Sequence, residues 1–112
     1  MIYLYIILSF TGNSLMPDHR QRLAPLFSGD QLVKAPGVSD GLSALLVEQA
    51  GFDCSVLAGG SLAFSRFGRP DMGLVCANEV AETVAILRDR VRLPLIVDMD
   101  TGFGNALNVQ RT

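Results

Sequence analysis

The chain has 112 residues, enough for one small domain with a buried core. Apolar residues make up 49% and charged residues only 18%, which excludes an intrinsically disordered chain. Nine basic residues against eleven acidic ones leave a net charge of −2, with no basic patch interleaved with aromatics, so nucleic acid is excluded as an expected partner.

Residues 1–10 form a hydrophobic stretch long enough for a signal-peptide core and too short to span a membrane. No Lys or Arg precedes it and no small-residue cleavage site follows. Met16 offers a second start directly before the polar run at 17–22. Residues 1–15 are therefore expected to be a hydrophobic extension or a start-site artefact. The folded part is expected over 16–112, in the cytoplasm and without membrane association.

Arg20 to Phe27 reads as a short helix interrupted by Pro25. Gln31 to Ala35 is expected as a first strand, closed by Pro36 and Gly37. Ser39 or Asp40 then caps a helix to about Ala50, with Leu42, Leu45 and Leu46 on one stripe and Gly51 as its stop. A second strand, Cys54 to Ala58, closes in Gly59-Gly60. Residues 61–72 are expected as a helical turn followed by a mobile loop carrying Gly68-Arg69-Pro70-Asp71. Asn78 caps the next helix, Glu79 to Val91, in which Val80, Val84, Leu87 and Val91 recur at helical spacing. Leu95 to Asp98 is the third strand, and a turn with two glycines leads towards a third helix. Cys54 and Cys76 have no metal-type spacing and are expected as free, buried thiols.

This β-α-β-α-β order with short connections implies a parallel sheet with right-handed crossovers. Three strands leave edges that want neighbours, and the sequence reads as cut off inside a helix-initiating turn.

The chemistry-bearing residues gather at the carboxyl ends of the expected strands, where parallel α/β folds place their sites. Asp98 and Asp100 are two apart, so strand alternation puts them on one face. Two like charges at a buried strand end require a cation or donors, and oxygen ligands indicate Mg²⁺ or Mn²⁺ over zinc. The competing reading makes them helix-capping acids, Asp100 above all. Gly59 and Gly60 let backbone N–H groups approach a carboxylate or enolate oxygen, or else simply form a tight strand-to-helix turn. Asp71 is a solvated loop acid unless its loop folds back over the site. Arg66 and Arg69 are by default solvated, with contact to an anionic substrate as the alternative. His19, the one histidine, lies outside every motif.

The run Asp98-Met-Asp100-Thr-Gly102-Phe-Gly104-Asn105, with Ala58-Gly59-Gly60-Ser61 and Gly68-Arg-Pro-Asp71-Met-Gly73, resembles the isocitrate lyase/phosphoenolpyruvate mutase superfamily. Pro36-Gly-Val-Ser-Asp40 and Ala50-Gly51-Phe52 resemble its first βα unit, and the likeness extends from Leu23 to the end. It implies the N-terminal βαβαβ portion of a (β/α)₈ TIM-type barrel with parallel strands, over residues 16–112. It further implies Mg²⁺ (or Mn²⁺) held directly by Asp98, with Asp100 and Asp71 holding metal-bound waters. Ala58, Gly59 and Gly60 would face the carboxylate and oxyanion of a small carboxylate substrate. Ala58 stands where a lyase of this superfamily commonly has Ser, so one hydroxyl is lost. The later strands, a further metal-shell glutamate and the loop with the acid/base group would lie beyond Thr112, so no catalytic acid or base is visible.

The implied activity is a Mg²⁺-dependent C–C bond lyase or decarboxylase acting on a small α-keto or hydroxy dicarboxylate through an enolate, inactive as these 112 residues alone. The alternatives are phosphoenolpyruvate mutase-type P–C chemistry, a non-catalytic truncated remnant, and an aldolase-type barrel using the same acids. A homo-oligomer is expected of the full-length family by analogy.

Overall fold

The computed structural model describes residues 4–5 and 19–111; the rest of the hydrophobic extension lies outside the described residues. The elements are β1 (Leu4–Tyr5), α1 (His19–Phe27), β2 (Gly37–Val38), α2 (Gly41–Gln49), β3 (Ser55–Leu57), α3 (Gly59–Phe67), α4 (Ala77–Arg90), β4 (Leu95–Asp98) and α5 (Ala106–Arg111). They build one sheet in the order β1-β4-β3-β2. β2, β3 and β4 are parallel, as the alternation predicts, and β1 joins the far edge antiparallel.

The sheet is covered on both faces, which is why β4 reads as a continuous apolar run. Leu95, Val97 and Met99 meet Val38, Leu57 and the inner faces of the helices, where Ala44, Leu62, Ala63, Val80, Val84 and Leu87 are buried. Ile96 points the other way, against Cys54 and Leu23, with Leu26, Val33, Ala35 and Val56 alongside. Asp98, two residues beyond Ile96, belongs to this second face.

Several local expectations are corrected. Pairing of the first strand begins later than Gln31–Ala35: Pro36 offers only its carbonyl, which accepts from the Val56 N–H at 2.9 Å, and β2 follows at Gly37–Val38. In α2 the buried residue is Ala44, while Leu42 and Leu46 face outward. A small side chain belongs at the contact with α4; a Cβ at Gly41 would already stand 3.8 Å from the Arg90 side chain. Residues 61–67 are not a single turn but part of a nine-residue helix that begins at Gly59 and ends at Gly68, whose left-handed φ of 62° closes it. The cap of α4 is Cys76, not Asn78, because the Glu79 carboxylate reaches back to the Cys76 N–H at 2.8 Å. Cys54 is buried as expected, and burial, reinforced by the Asp53 charge, pushes its thiol pKa up; Cys76 is exposed.

At the amino ends of the strands, Arg88 fixes the chain as it enters β4. Its Nη2 donates to the carbonyls of Val91 and Leu93, both at 2.8 Å. Burial pulls its pKa below the usual arginine value, opposed by the nearby Glu48 charge. Glu48 in turn accepts the Arg92 N–H at 2.8 Å, joining α2 to the same loop.

Asp40 caps α2 in a reciprocal box: its Oδ1 accepts the Ser43 N–H at 2.7 Å, and Ser43 Oγ accepts the Asp40 N–H at 3.2 Å. The Ser43 amide holds the Asp40 carboxyl below its ordinary value of 3.8. A lowered folded-state pKa means stability that is complete above 3.8 and lost as pH falls below it. Asp40→Ala is expected to cost about 1 kcal/mol at neutral pH. Urea titrations of both proteins across the acid range should show their difference shrinking below that value.

Candidate metal and carboxylate site

The site is set by where β3 and β4 end. Leu57 lies opposite Val97, so Ala58 and Asp98 leave the sheet together. α3 starts at once, with Ala58 as its extended N-cap. The methyl of Ala58 makes no capping bond; its carbonyl accepts from the Leu62 N–H at 3.1 Å and the Ser61 hydroxyl at 2.9 Å. The helix therefore opens onto the cavity with its first amides uncapped by the Ala58 side chain.

Both oxygens of Asp98 are engaged by main-chain donors. Gly59 N–H reaches Oδ2 at 3.4 Å, and Asp100 N–H reaches Oδ1 at 2.9 Å. These donors and the positive end of α3 offset the charge of a half-buried carboxylate. Asp71 arrives from the loop after α3, which folds back over the strand ends. Its Oδ2 lies 3.4 Å from the point a Cβ would occupy on Gly59, where Asp98 Oδ2 lies 3.7 Å away. Any larger residue at 59 would put a side chain between the two acids. Asp71, Asp98 and Asp100 line one open cavity with Gly59 and Gly73, walled by Val75, Val80 and Phe103.

Asp100 reaches this cavity by a different route from the one strand alternation suggests. β4 ends at Asp98, and Asp100 sits in a turn with φ of 49°. Phe103 is also left-handed, at 59°, and its ring packs on the main core while lining the cavity. Backbone strain of this kind collects where a fold aims side chains at a site. The turn is closed by α5, which packs tightly on its glycines. A Cβ on Gly102, at φ 89°, would stand 2.7 Å from Val109 Cγ2, and one on Gly104 would stand 2.6 Å from Asn108. Asn105 Oδ1 accepts the N–H groups of Leu107 and Asn108 at 3.0 and 3.3 Å, capping α5.

The structure thus brings together Gly59, Asp71, Asp98 and Asp100, with Gly60 also against the Asp71 carboxylate. Arg66 does not join them. It bridges α3 to α4 through Glu79 at 3.5 Å and Glu82 at 2.9 Å, so the anionic-substrate alternative is corrected to a surface ion pair. Arg69 is exposed and lines no part of the cavity. His19 begins α1. Gly73 and Phe103 stand in the motif runs with no site role of their own, Val80 only on a helical stripe, and Val75 in neither. Gly73 and Phe103 need left-handed backbone that no sequence period announces, and the valines read only as helix and loop apolars.

Among the described residues no three His, Cys, Asp or Glu side chains converge as a closed ligand cluster. Mg²⁺ takes oxygen ligands, one or two of them carboxylates, and keeps several waters. The all-oxygen donor set and the side-chain-free space at Gly59 fit such a cation.

A family model described as phosphoenolpyruvate phosphomutase matches residues 23–112, and the chain belongs to this family, within the isocitrate lyase/phosphoenolpyruvate mutase superfamily. The 2-methylisocitrate lyase of Bacillus subtilis is 43% identical over 91 residues, covering 81% of this chain and 30% of that protein. A crystal structure of 2,3-dimethylmalate lyase superposes with a TM-score of 0.70 at 34% identity, over 82% of this chain and 32% of the other. Phosphonopyruvate hydrolase in complex with oxalate and Mg²⁺ gives a TM-score of 0.77 at 34% identity, over 84% and 33%. The chain spans about a third of the length of these relatives. Its three parallel strands and their helices are the N-terminal portion of the superfamily's (β/α)₈ barrel.

Gly102→Ala is expected to destabilise the chain by at least about 1–2 kcal/mol, the cost of a left-handed alanine before any clash with Val109. Gly37→Ala has open space and is expected to stay within about 0.5 kcal/mol of the parent. Chemical denaturation of the two variants side by side checks the contrast.

Proposed function

We propose that this chain supplies the metal and carboxylate corner of a Mg²⁺-dependent carbon–carbon lyase or decarboxylase acting on a small α-keto or hydroxy dicarboxylate through an enolate. The observation that carries the reading is the meeting of the Asp71 and Asp98 carboxylates at Gly59, directly before the N-terminus of α3. Relatives that are lyases, and a structural neighbour solved with oxalate and Mg²⁺, support it.

Asp98 would hold the cation directly, with Asp71 and Asp100 as its outer partners. When bound, the cation stabilises negative charge developing on the substrate's enolate oxygen. Asp98 needs its orientation fixed for this, and the Gly59 and Asp100 amides fix both of its oxygens. Gly59 N–H is thus directed at Asp98. The next two amides, of Gly60 and Ser61, belong to the first turn of α3, where a substrate carboxylate is best held. Val75, Val80 and Phe103 keep one wall of the cavity apolar, which strengthens each charge interaction inside it. Among the described residues the lining holds no histidine, lysine, cysteine or tyrosine, and the role proposed for the lining acids and glycines is to bind and orient. Phosphorus–carbon chemistry, favoured by the description of the family model, would use the same corner on the same class of keto acid.

Calorimetric titration with Mg²⁺ tests the metal reading. Asp98→Ala is expected to weaken binding by about tenfold or more, the loss of one charged ligand. Equal affinity in parent and variant would remove Asp98 from the site. The 112 residues alone are expected to release no pyruvate from a small dicarboxylate, because among the described residues no histidine, lysine, cysteine or tyrosine lines the cavity; metal-dependent release by the pure chain would overturn that account.

A further inference from the structure

Asp71 is exposed, so burial does not hold its carboxylate against Gly59. Its position depends on the path of residues 68–76, which join α3 to α4. That path starts at Gly68 and ends at Cys76, the N-cap of α4, with Val75 buried in the main core just before it. Both ends lead to one carboxylate. Glu79 Oε2 accepts the Cys76 N–H at 2.8 Å, and Glu79 Oε1 lies 3.5 Å from Nε of Arg66, in the last turn of α3. Arg66 Nη1 also donates to the Glu79 carbonyl at 3.4 Å, and its Nη2 donates to Glu82 Oε2 at 2.9 Å. Each charge complements its own helix, a cation at the C-terminus of α3 and an anion at the N-terminus of α4. The Glu79 side chain is 23% exposed against 63% for Glu82, so the ion pair that closes the loop is the less screened of the two.

We propose that Glu79 is a positioning residue for Asp71: together with Arg66 it braces the loop that carries Asp71 back to Asp98. The proposal rests on the metal reading above, in which Asp71 is an outer partner of the cation. Glu79 and Arg66 line no part of the cavity and touch neither cation nor substrate. They act by pinning both ends of the loop, so that Asp71 needs little further ordering when the cation binds. Between those ends Gly73, at φ 70°, turns the chain from Asp71 towards the buried Val75. The loop is thus fixed by its two feet and by one apolar anchor, and the acid at its tip stays free to face the site.

Proton NMR on the full chain reads the brace without metal. Asp71 Cβ lies 3.7 Å from the point a Cβ would occupy on Gly60, so an Overhauser contact between Gly60 Hα and Asp71 Hβ is expected. Glu79→Ala is expected to abolish it while the β3–β4 contacts persist, and a retained contact overturns the proposal. Should Glu79→Ala lose the β3–β4 contacts as well, Arg66→Ala decides, since it leaves the Cys76 cap in place; it is expected to weaken the Gly60–Asp71 contact, and an unchanged one overturns the brace. Calorimetry then reads the same brace through the metal. Glu79→Ala is expected to weaken Mg²⁺ binding about fivefold, but less than about twofold in an Asp71→Asn background. Equal losses in both backgrounds would make Glu79 merely structural and overturn its action through Asp71. A parent chain that binds no Mg²⁺ removes the metal reading instead, and the Overhauser contact alone then decides the brace.

Discussion

The register between β3 and β4 carries the rest of this molecule. Ser55, Val56 and Leu57 pair with Leu95, Ile96 and Val97, and β4 runs one residue further, to Asp98, level with Ala58. The coincidence places the first turn of α3 beside Asp98 and lets Gly59 donate to its carboxylate. A slip of one residue would invert both faces of β4, driving Asp98 into the helix-packed core and Val97 out of it. Two apolar layers oppose such a slip, since Leu95 and Val97 fill one and Ile96 the other. The hydrophobic pattern of three residues therefore fixes the position of a charged group that contributes nothing to that pattern.

The two ends of β4 are held by different physics. At its entrance a guanidinium donates to the carbonyls of Val91 and Leu93, and Glu48 accepts the Arg92 amide. Such charge-assisted bonds are strong and local, as suits a region with packing to preserve and no ligand to admit. At its exit the chain turns through left-handed residues at Asp100 and Phe103, and α5 closes on glycines that leave no room for a Cβ. Strain is concentrated on the side where carboxylates must face open space. The opposite side is packed and paired, which is the usual division between the two ends of a parallel barrel.

Much of the site was legible because its residues are short-range consequences of the backbone. The strand at Leu95–Asp98 and the Asp98-x-Asp100-x-Gly102-x-Gly104 run lie where the sequence reading places them, and Gly59-Gly60 follow their strand as expected but form the first turn of α3. The reason given for Asp100 was wrong in detail. Strand alternation does not apply beyond Asp98, and a left-handed turn delivers the same carboxylate to the same cavity. Arg66, read by default as a solvated loop charge, lies instead in α3, where Glu79 and Glu82, 13 and 16 residues away, hold it. The leucine stripe of α2 misled for a related reason: helical period identifies a face but not which face meets the sheet.

By itself the sequence determined the β-α-β-α-β order, the acids and glycines at the strand ends, and the likeness to a family of barrel enzymes. Each of these depends on residues close together in the chain, through alternation, capping or a contiguous motif. Tertiary structure alone decided that Asp71 folds back to meet Asp98 across Gly59, that Arg66 belongs to a helix-to-helix ion pair, and that Leu4–Tyr5 lies on the edge of β4. Those pairings join residues 13 to more than 90 positions apart. No local period encodes them, because they follow from which surfaces remain to be covered once the sheet and its helices have packed.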